Sequence, residues 1–298
     1  MNLLQSITGI LKDPPPMFAF ELSEAGLAVA HNERPARVSF HNFEKDVISI
    51  SPLRDNVLRP DALLSAVKAA VPGGENRKRR TAALILPDYV VRVAVLDFDS
   101  FPADAREQAS LVRFRLKHSV PFDVDSAAVS FHAQSAPRKG KKVDVVVAVA
   151  PVEVITRYEA PFRLANFHPG LVTTSMLAAL ELVPAEGLQV LAKRTGRVLS
   201  LAVLDAGAVR LLRSIEMAEV TAEEVAGFLY PTFAYIEDEL SVRPESLLLC
   251  GFESLDHGLE DDLQKDLGVK ATPLTSPLGT PGEFNAGLHG YLEALGEF

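Results

Sequence analysis

Apolar residues fall in short alternating runs through the first quarter of the chain. Runs at 18–22, 26–31, 36–43 and 46–51 predict four strands. Before them, Leu3, Leu4, Ile7, Ile10 and Leu11 fall on one helical face, and Pro14-Pro15-Pro16 stops that segment and makes a stiff spacer. Leu63, Leu64, Val67 and Val71 share a face of a helix over 59–71, with Pro60 suited to its first turn. Strands are expected at 82–87 and 90–97 around a Pro87-Asp88-Tyr89 turn, then a helix over 104–119. Strands at 127–132 and 143–150, a helix at 152–166, and a strand entering a helix over 171–183 complete the first half.

After Gly187 the pattern starts again. Strands are predicted at 188–193, 198–205 and 208–215, then a long helix over 222–240. A buried strand over 246–252 runs into a glycine turn, followed by a helix at 256–267 and a short strand at 269–273. A Pro/Gly-rich loop over 274–282 leads to a closing helix at 284–295. Hairpins standing in front of helices argue for mixed α/β and against a plain doubly wound sheet.

Composition narrows this picture. A chain of 298 residues fits one large or two medium domains, and 48% hydrophobic content supports a packed core. The net charge of −9 argues against bulk attraction to nucleic acid. Cys250 is the single cysteine, so no internal disulfide forms. No secretory signal is read at the start, and the longest apolar run, 145–152, is far short of the ~20 residues that span a bilayer. The expected location is the cytoplasm. The seven histidines are scattered, and neither H-E-x-x-H, a P-loop nor G-x-S-x-G occurs, so no metal and no catalytic residue is assigned. The basic runs at 77–80 and 138–142 read as solvated turns, and Asp97 and Asp99 as loop solvation.

One motif occurs twice. Residues 201–212 (LAVLDAGAVRLL) and 18–29 (FAFELSEAGLAV) each read as apolar strand, acid, tight turn, apolar strand. A carboxylate beside a glycine turn suits a nucleotide phosphate, because the turn brings N–H groups to the anion and the acid can hold Mg²⁺ through water. Two such turns, one per half, suggest two lobes facing a cleft.

This order, closed by the strand and glycine turn at 247–251, resembles the phosphate, phosphate and adenosine segments of actin-like ATPases. Within that group the chain resembles the PilM family, cytoplasmic actin-like proteins of type IV pilus machines. The likeness is carried by 18–30, by 111–131 (LVRFRLKHSVPFDVDSAAVSF), by 143–179, and by 203–212 with 247–267. It implies an α/β, actin-like ATPase (ribonuclease H-like) two-lobed fold. The tail and spacer would be 1–16, and the first lobe 17–187 with a small α/β subdomain inserted at about 83–150. A reduced second lobe would cover 188–283, and a closing helix 284–298.

The resemblance also marks departures. The family expects Asp-x-Gly-Ser where Glu21-Leu22-Ser23-Glu24 stands, and a second glycine where Cys250 and Phe252 flank Gly251. Glu24 adds charge where a phosphate would approach; two unit charges ~4 Å apart repel by about 4 kcal/mol at an effective dielectric near 20. Phe252 is suited to fill the base pocket, and Thr173-Thr174-Ser175 offers no acid between lobes. Only one helix fits between the strands 208–215 and 246–251, where the family inserts a subdomain. A residual nucleotide cleft is therefore assigned to Glu21, Ser23, Asp205, Gly207 and Gly251, with little or no ATP and Mg²⁺ binding expected.

The family's function implies a scaffold of a type IV pilus or type II secretion-like machine. It would hold the cytoplasmic tail of a PilN-like, bitopic inner-membrane partner and contact motor ATPases, reaching the membrane only through partners. The groove is expected near 104–119 and 18–43, with Arg113, Phe114 and Phe122 as candidates. Leu3, Leu4 and Ile7 are candidates too, since Asn2-Leu3-Leu4 resembles the apolar motif of the partner's tail. The alternative is an active ATPase or kinase in which Asp205 positions Mg²⁺ or water. A third reading is a filament-forming, cell-division-type actin homologue.

Overall fold

The structure, a computed structural model, describes residues 15–31, 36–71, 80–135, 142–253 and 259–296. The amphipathic run with Leu3, Leu4 and Ile7 lies outside the described residues, as does most of each basic turn.

Strands β1 (Phe18–Leu22), β2 (Gly26–His31) and β3 (Arg37–Asn42) form an antiparallel meander. Helix α1 (Pro60–Ala70) returns the chain so that β4 (Arg80–Leu86) lies parallel to β1. A short turn of 3-10 helix, Asp88–Val90, then leads into β5 (Arg92–Phe98), α2 (Ala105–Leu116), β6 (Ala127–Ala133) and β7 (Val143–Pro151). These make a separate sheet of order β5-β7-β6. Helix α3 (Val152–Leu164) and β8 (Phe167–Thr174) complete the first sheet as β3-β2-β1-β4-β8, and the short α4 (Ser175–Ala179) follows.

The second half repeats this order. It runs β9 (Leu188–Thr195), β10 (Val198–Asp205), β11 (Ala208–Glu216), α5 (Ala222–Tyr235, continued in wider turns to Leu240), β12 (Ser246–Cys250), α6 (Leu259–Leu267), β13 (Lys270–Pro273) and α7 (Ala286–Leu295). Its sheet order, β11-β10-β9-β12-β13, matches the first, so β1 and β9 are topological equivalents.

The period-two alternation of each strand sorts the cores. Phe18, Phe20, Leu22, Leu84 and Leu86 face α1 and α3 through Leu63, Val67, Tyr158 and Phe162. The opposite face of the same sheet is built of Ala19, Ala28, Ala30 and Ala83, and receives Leu288, Tyr291 and Leu292 of α7. In the second sheet, Leu201, Val203, Leu247 and Leu249 face α5 and α6, while Leu191, Ala202, Leu204 and Leu248 receive Met176 and Leu177 of α4. The last helix of each half thus covers the inner face of the other half's sheet. Where α4 and α7 cross, a Cβ on Gly287 would sit 2.8 Å from Ser175 Cα, and one on Gly290 2.9 Å from Ala179 Cα. Both glycines therefore serve close helix approach.

Three expectations need correction. Strand β4, assigned to the insertion from residue 83, pairs with β1 and β8, and the small sheet begins only at Arg92. The run 46–51 forms one bridge, Ile48 to Val57, in place of a strand. There the buried Asn56 amide bonds Ser51 N, Ser51 O and Arg54 O, so a side chain takes the place of a partner strand. Helix α7, set apart from both lobes as a closing helix, fills the inner face of the first lobe.

Candidate functional site

Parallel strands β1, β4 and β8 end on one side, and so do β9, β12 and β13. The loops leaving those ends are where open α/β sheets place ligands. The first is the turn after β1. Ser23 closes it, its Oγ donating to Gly26 O and accepting from Gly26 N, each at 3.1 Å. Glu24 is drawn off to the side, where its Oε1 accepts from Ile50 N at 2.7 Å.

Glu21 points inward and is 3% exposed. Its carboxylate accepts from Ser175 Oγ, from Gly287 N at 3.3 Å and from Leu288 N at 2.7 Å. The last two are free N–H groups of the first turn of α7, so Glu21 fills that helix's anion position. Burial pushes the Glu21 pKa above the usual carboxylate range, and the Lys193 ammonium and these hydrogen bonds pull against that shift.

Lys193, near the end of β9, is 1% exposed. Its Nζ lies 3.0 Å from Asp88 Oδ2 and 2.8 Å from Thr195 Oγ1. Burial alone would lower its pKa, but the Asp88 and Glu21 carboxylates reverse this and hold it above the ordinary lysine value. Asp88, in the turn after β4, also accepts from Ser200 Oγ at 2.9 Å and from Met176 N.

Beside this pair, Arg194 Nε donates to Gly251 O at 2.6 Å, and its Nη atoms meet the Glu283 carboxylate at 3.1 and 2.8 Å. Glu283 Oε1 also accepts from Gly196 N at 2.6 Å. Gly251 has φ +81°, and a Cβ there would stand 3.1 Å from Glu283 Cα, so only glycine fits. Phe252 is buried in the core of the second half, against α5 and α6.

Of the predicted cleft residues, the structure brings Glu21, Ser23 and Gly251 to this side. Asp205 and Gly207 do not join them. Asp205 pairs with Leu188 at the start of β9, seven residues from Thr195 and so about 23 Å from the cleft end at ~3.3 Å per residue. The turn equivalent to β1–β2 is β9–β10, and its sequence, Lys193-Arg194-Thr195-Gly196, has no acid to mark it. The repeated strand order was the signal that could have found it. Asp205 instead meets Arg210 at 3.1 Å, and Arg210 meets Asp144 of β7 at 2.8 Å. Gln134 bonds Val209 N and O at 2.7 and 2.8 Å. That end of the hairpin fastens the insertion to the second sheet.

Arg113, Phe114 and Phe122 do not converge either. The Arg113 guanidinium turns inward onto the carbonyls of Val124 and Ala127. Phe114 is 63% exposed, and Phe122 is half-buried in the insertion's core. The neighbouring cations are paired within the insertion, Lys117 with Asp125 at 2.9 Å and Arg115 with Asp97 at 3.7 Å. A cavity of about 220 Å³ opens elsewhere, between β6 and β8, lined by Val129, Ala148, Ile155, Leu171, Val172 and Thr174. Both strands end their sheets among the described residues.

Mg²⁺–ATP does not fit the residues at the cleft. Gly196 N is bonded to Glu283, Gly287 N and Leu288 N are bonded to Glu21, and the Lys193 ammonium adds a positive charge paired with Asp88. Among the described residues no group of three or more His, Cys, Asp or Glu side chains is placed to hold a metal ion, and no helix is long and apolar enough to cross a membrane.

No family model and no curated protein sequence matches the chain. Solved structures do. A chain of the PilM–PilN type IV pilus biogenesis complex superposes with TM-score 0.75 at 16% identity, covering 95% of this chain and 98% of that one. A Bacteroides thetaiotaomicron protein with an actin-like ATPase fold and unknown function gives TM-score 0.53 at 13% identity, covering 86% and 89%. At such identities the likeness is one of fold: the chain has the actin-like ATPase fold and is PilM-like in that fold.

Proposed function

We propose that this protein is a scaffold of a type IV pilus or type II secretion-like machine, one that holds the cytoplasmic tail of a PilN-like inner-membrane partner. The observation that carries the reading is the near-complete mutual coverage with a chain of the PilM–PilN complex. The cleft supports it, since its charges pair with one another and leave the partner surface as the working part. The tail's seat is the apolar cavity between β6 and β8. An extended apolar peptide can there add to a sheet edge through main-chain hydrogen bonds, with side chains entering the cavity. Contact with motor ATPases and a cytoplasmic place beside the inner membrane belong to the same proposal.

The test is calorimetry with a peptide of the cytoplasmic tail of a PilN-like protein. Micromolar binding is expected for the native chain, and at least tenfold weaker binding for Ser130→Arg, an exposed β6 residue on the cavity lining opposite Ala148, with an unchanged circular dichroism spectrum. Absence of binding to the native chain overturns the reading, and equal binding to Ser130→Arg overturns its groove.

A further inference from the structure

The two halves carry opposite charges at equivalent places. Glu21 stands near the end of β1 and Lys193 near the end of β9, each on the strand that begins its sheet. Two acids at such positions would repel across the gap and call for a cation between them. An acid and a base need none. Lys193 reaches Asp88 of the first half at 3.0 Å, with side-chain exposures of 1% and 3%. Both groups make further hydrogen bonds, from Ser200 and Met176 to Asp88 and from Lys193 to Thr195. Such a buried pair adds little net stability but leaves an uncompensated charge if one partner goes, so it fixes geometry more than it stabilises.

A second tie runs beside it. Arg194 binds Glu283 bidentately at 3.1 and 2.8 Å, and the Glu283 segment leads directly into α7. Helix α7 in turn packs on the first sheet and is capped by Glu21. The β9–β10 hairpin is thus joined to the first half directly through Asp88 and indirectly through Glu283 and α7.

We propose that Lys193 and Arg194 form an internal cationic clasp that holds the two lobes closed in one arrangement without a bound ligand. The clasp stands on the fold and not on partner binding, so its failure removes only the cleft's support for the scaffold reading, which the tail-peptide calorimetry tests separately. Hydrogen exchange of the full chain tests it. The native protein is expected to keep the same protection at 88–93, 175–180 and 193–200 with and without millimolar Mg²⁺–ATP. Lys193→Met should speed exchange there at least tenfold, and the charge-balanced Lys193→Met/Asp88→Asn pair should recover most of the protection. Where Lys193→Met alone fails to fold, the double variant and Arg194→Gln, which loosens only the Glu283 tie, are compared with the native chain. Unchanged exchange in every variant, or added protection on nucleotide addition to the native chain, overturns the clasp.

Discussion

The backbone N–H of Leu288 donates to Glu21 Oε2 at 2.7 Å, joining the first strand of the fold to its last helix. A buried carboxylate that receives helix N-terminal amides cannot be removed without orphaning them. Glu21→Ala is therefore expected to cost about 1–3 kcal/mol. Glu21→Gln keeps an acceptor oxygen and should cost less. Urea unfolding of the two variants checks the order, and equal losses would mean that the acceptor oxygen is immaterial.

The crossing of α4 and α7 gives a steric expectation. A Cβ on Gly290 would lie 2.6 Å from the carbonyl carbon of Ala178 and 2.9 Å from Ala179 Cα, both backbone atoms that cannot swing away. Gly290→Ala removes a costly helical glycine, which alone would help by up to ~1 kcal/mol. Overpacking against backbone typically costs ~1–3 kcal/mol and should win. A lowered thermal midpoint is the expected result, while Gly268→Ala is no fair control because that residue has φ +65°. Gly227→Ala in α5, where nothing lies within 4 Å, is the proper one and should be neutral or stabilising.

How far the sequence reads into the structure depends on how local each cause is. The strands were legible from alternation and glycine punctuation, since these act within a few residues. The hairpin at Asp205 misled because its acid and glycine made the better local motif, while the turn that faces the cleft, at Lys193–Gly196, carries no acid. Only the sheet order tells the two ends of β10 apart. Glu283 was invisible for a related reason, as its partner Arg194 lies 89 residues away. Arg113 read as a groove candidate because it is a cation beside Phe114, yet two loop carbonyls draw it inward.

Stability should fall in mild acid through His289. This side chain is 5% exposed in α7, and its Nδ1 lies 2.8 Å from Ser276 Oγ. Burial holds its pKa below the ordinary value of 6.5. Between those two values the unfolded chain binds a proton that the folded chain does not, so folding weakens as pH drops below about 6.5. Glu21 works the other way, because its raised pKa favours proton uptake by the folded chain. The difference in unfolding free energy between native protein and His289→Asn, followed from pH 7.5 to 5, isolates the histidine. It should shrink as pH falls, and a flat difference would exclude His289 as the cause.

The cleft chemistry sets the expectation for ATP. A phosphate arriving at the β9–β10 turn must displace the Glu283 carboxylate from Gly196 N and from the Arg194 guanidinium. One arriving at the α7 terminus must displace Glu21 from Gly287 N and Leu288 N. Neither carboxylate can simply stay, since a phosphate oxygen ~4 Å from it meets about 4 kcal/mol of repulsion per unit charge at an effective dielectric near 20. Asp88, the buried acid there, is committed to Lys193 and Ser200 and is not free to attract Mg²⁺. Titration of the native chain with Mg²⁺–ATP is therefore expected to give no saturable heat below the millimolar range. Glu283→Ala frees one set of donors, so any gain in anion affinity should appear in that variant first. Micromolar ATP binding by the native chain would show that these ion pairs open readily, and the alternative of an active ATPase or kinase would then regain its ground.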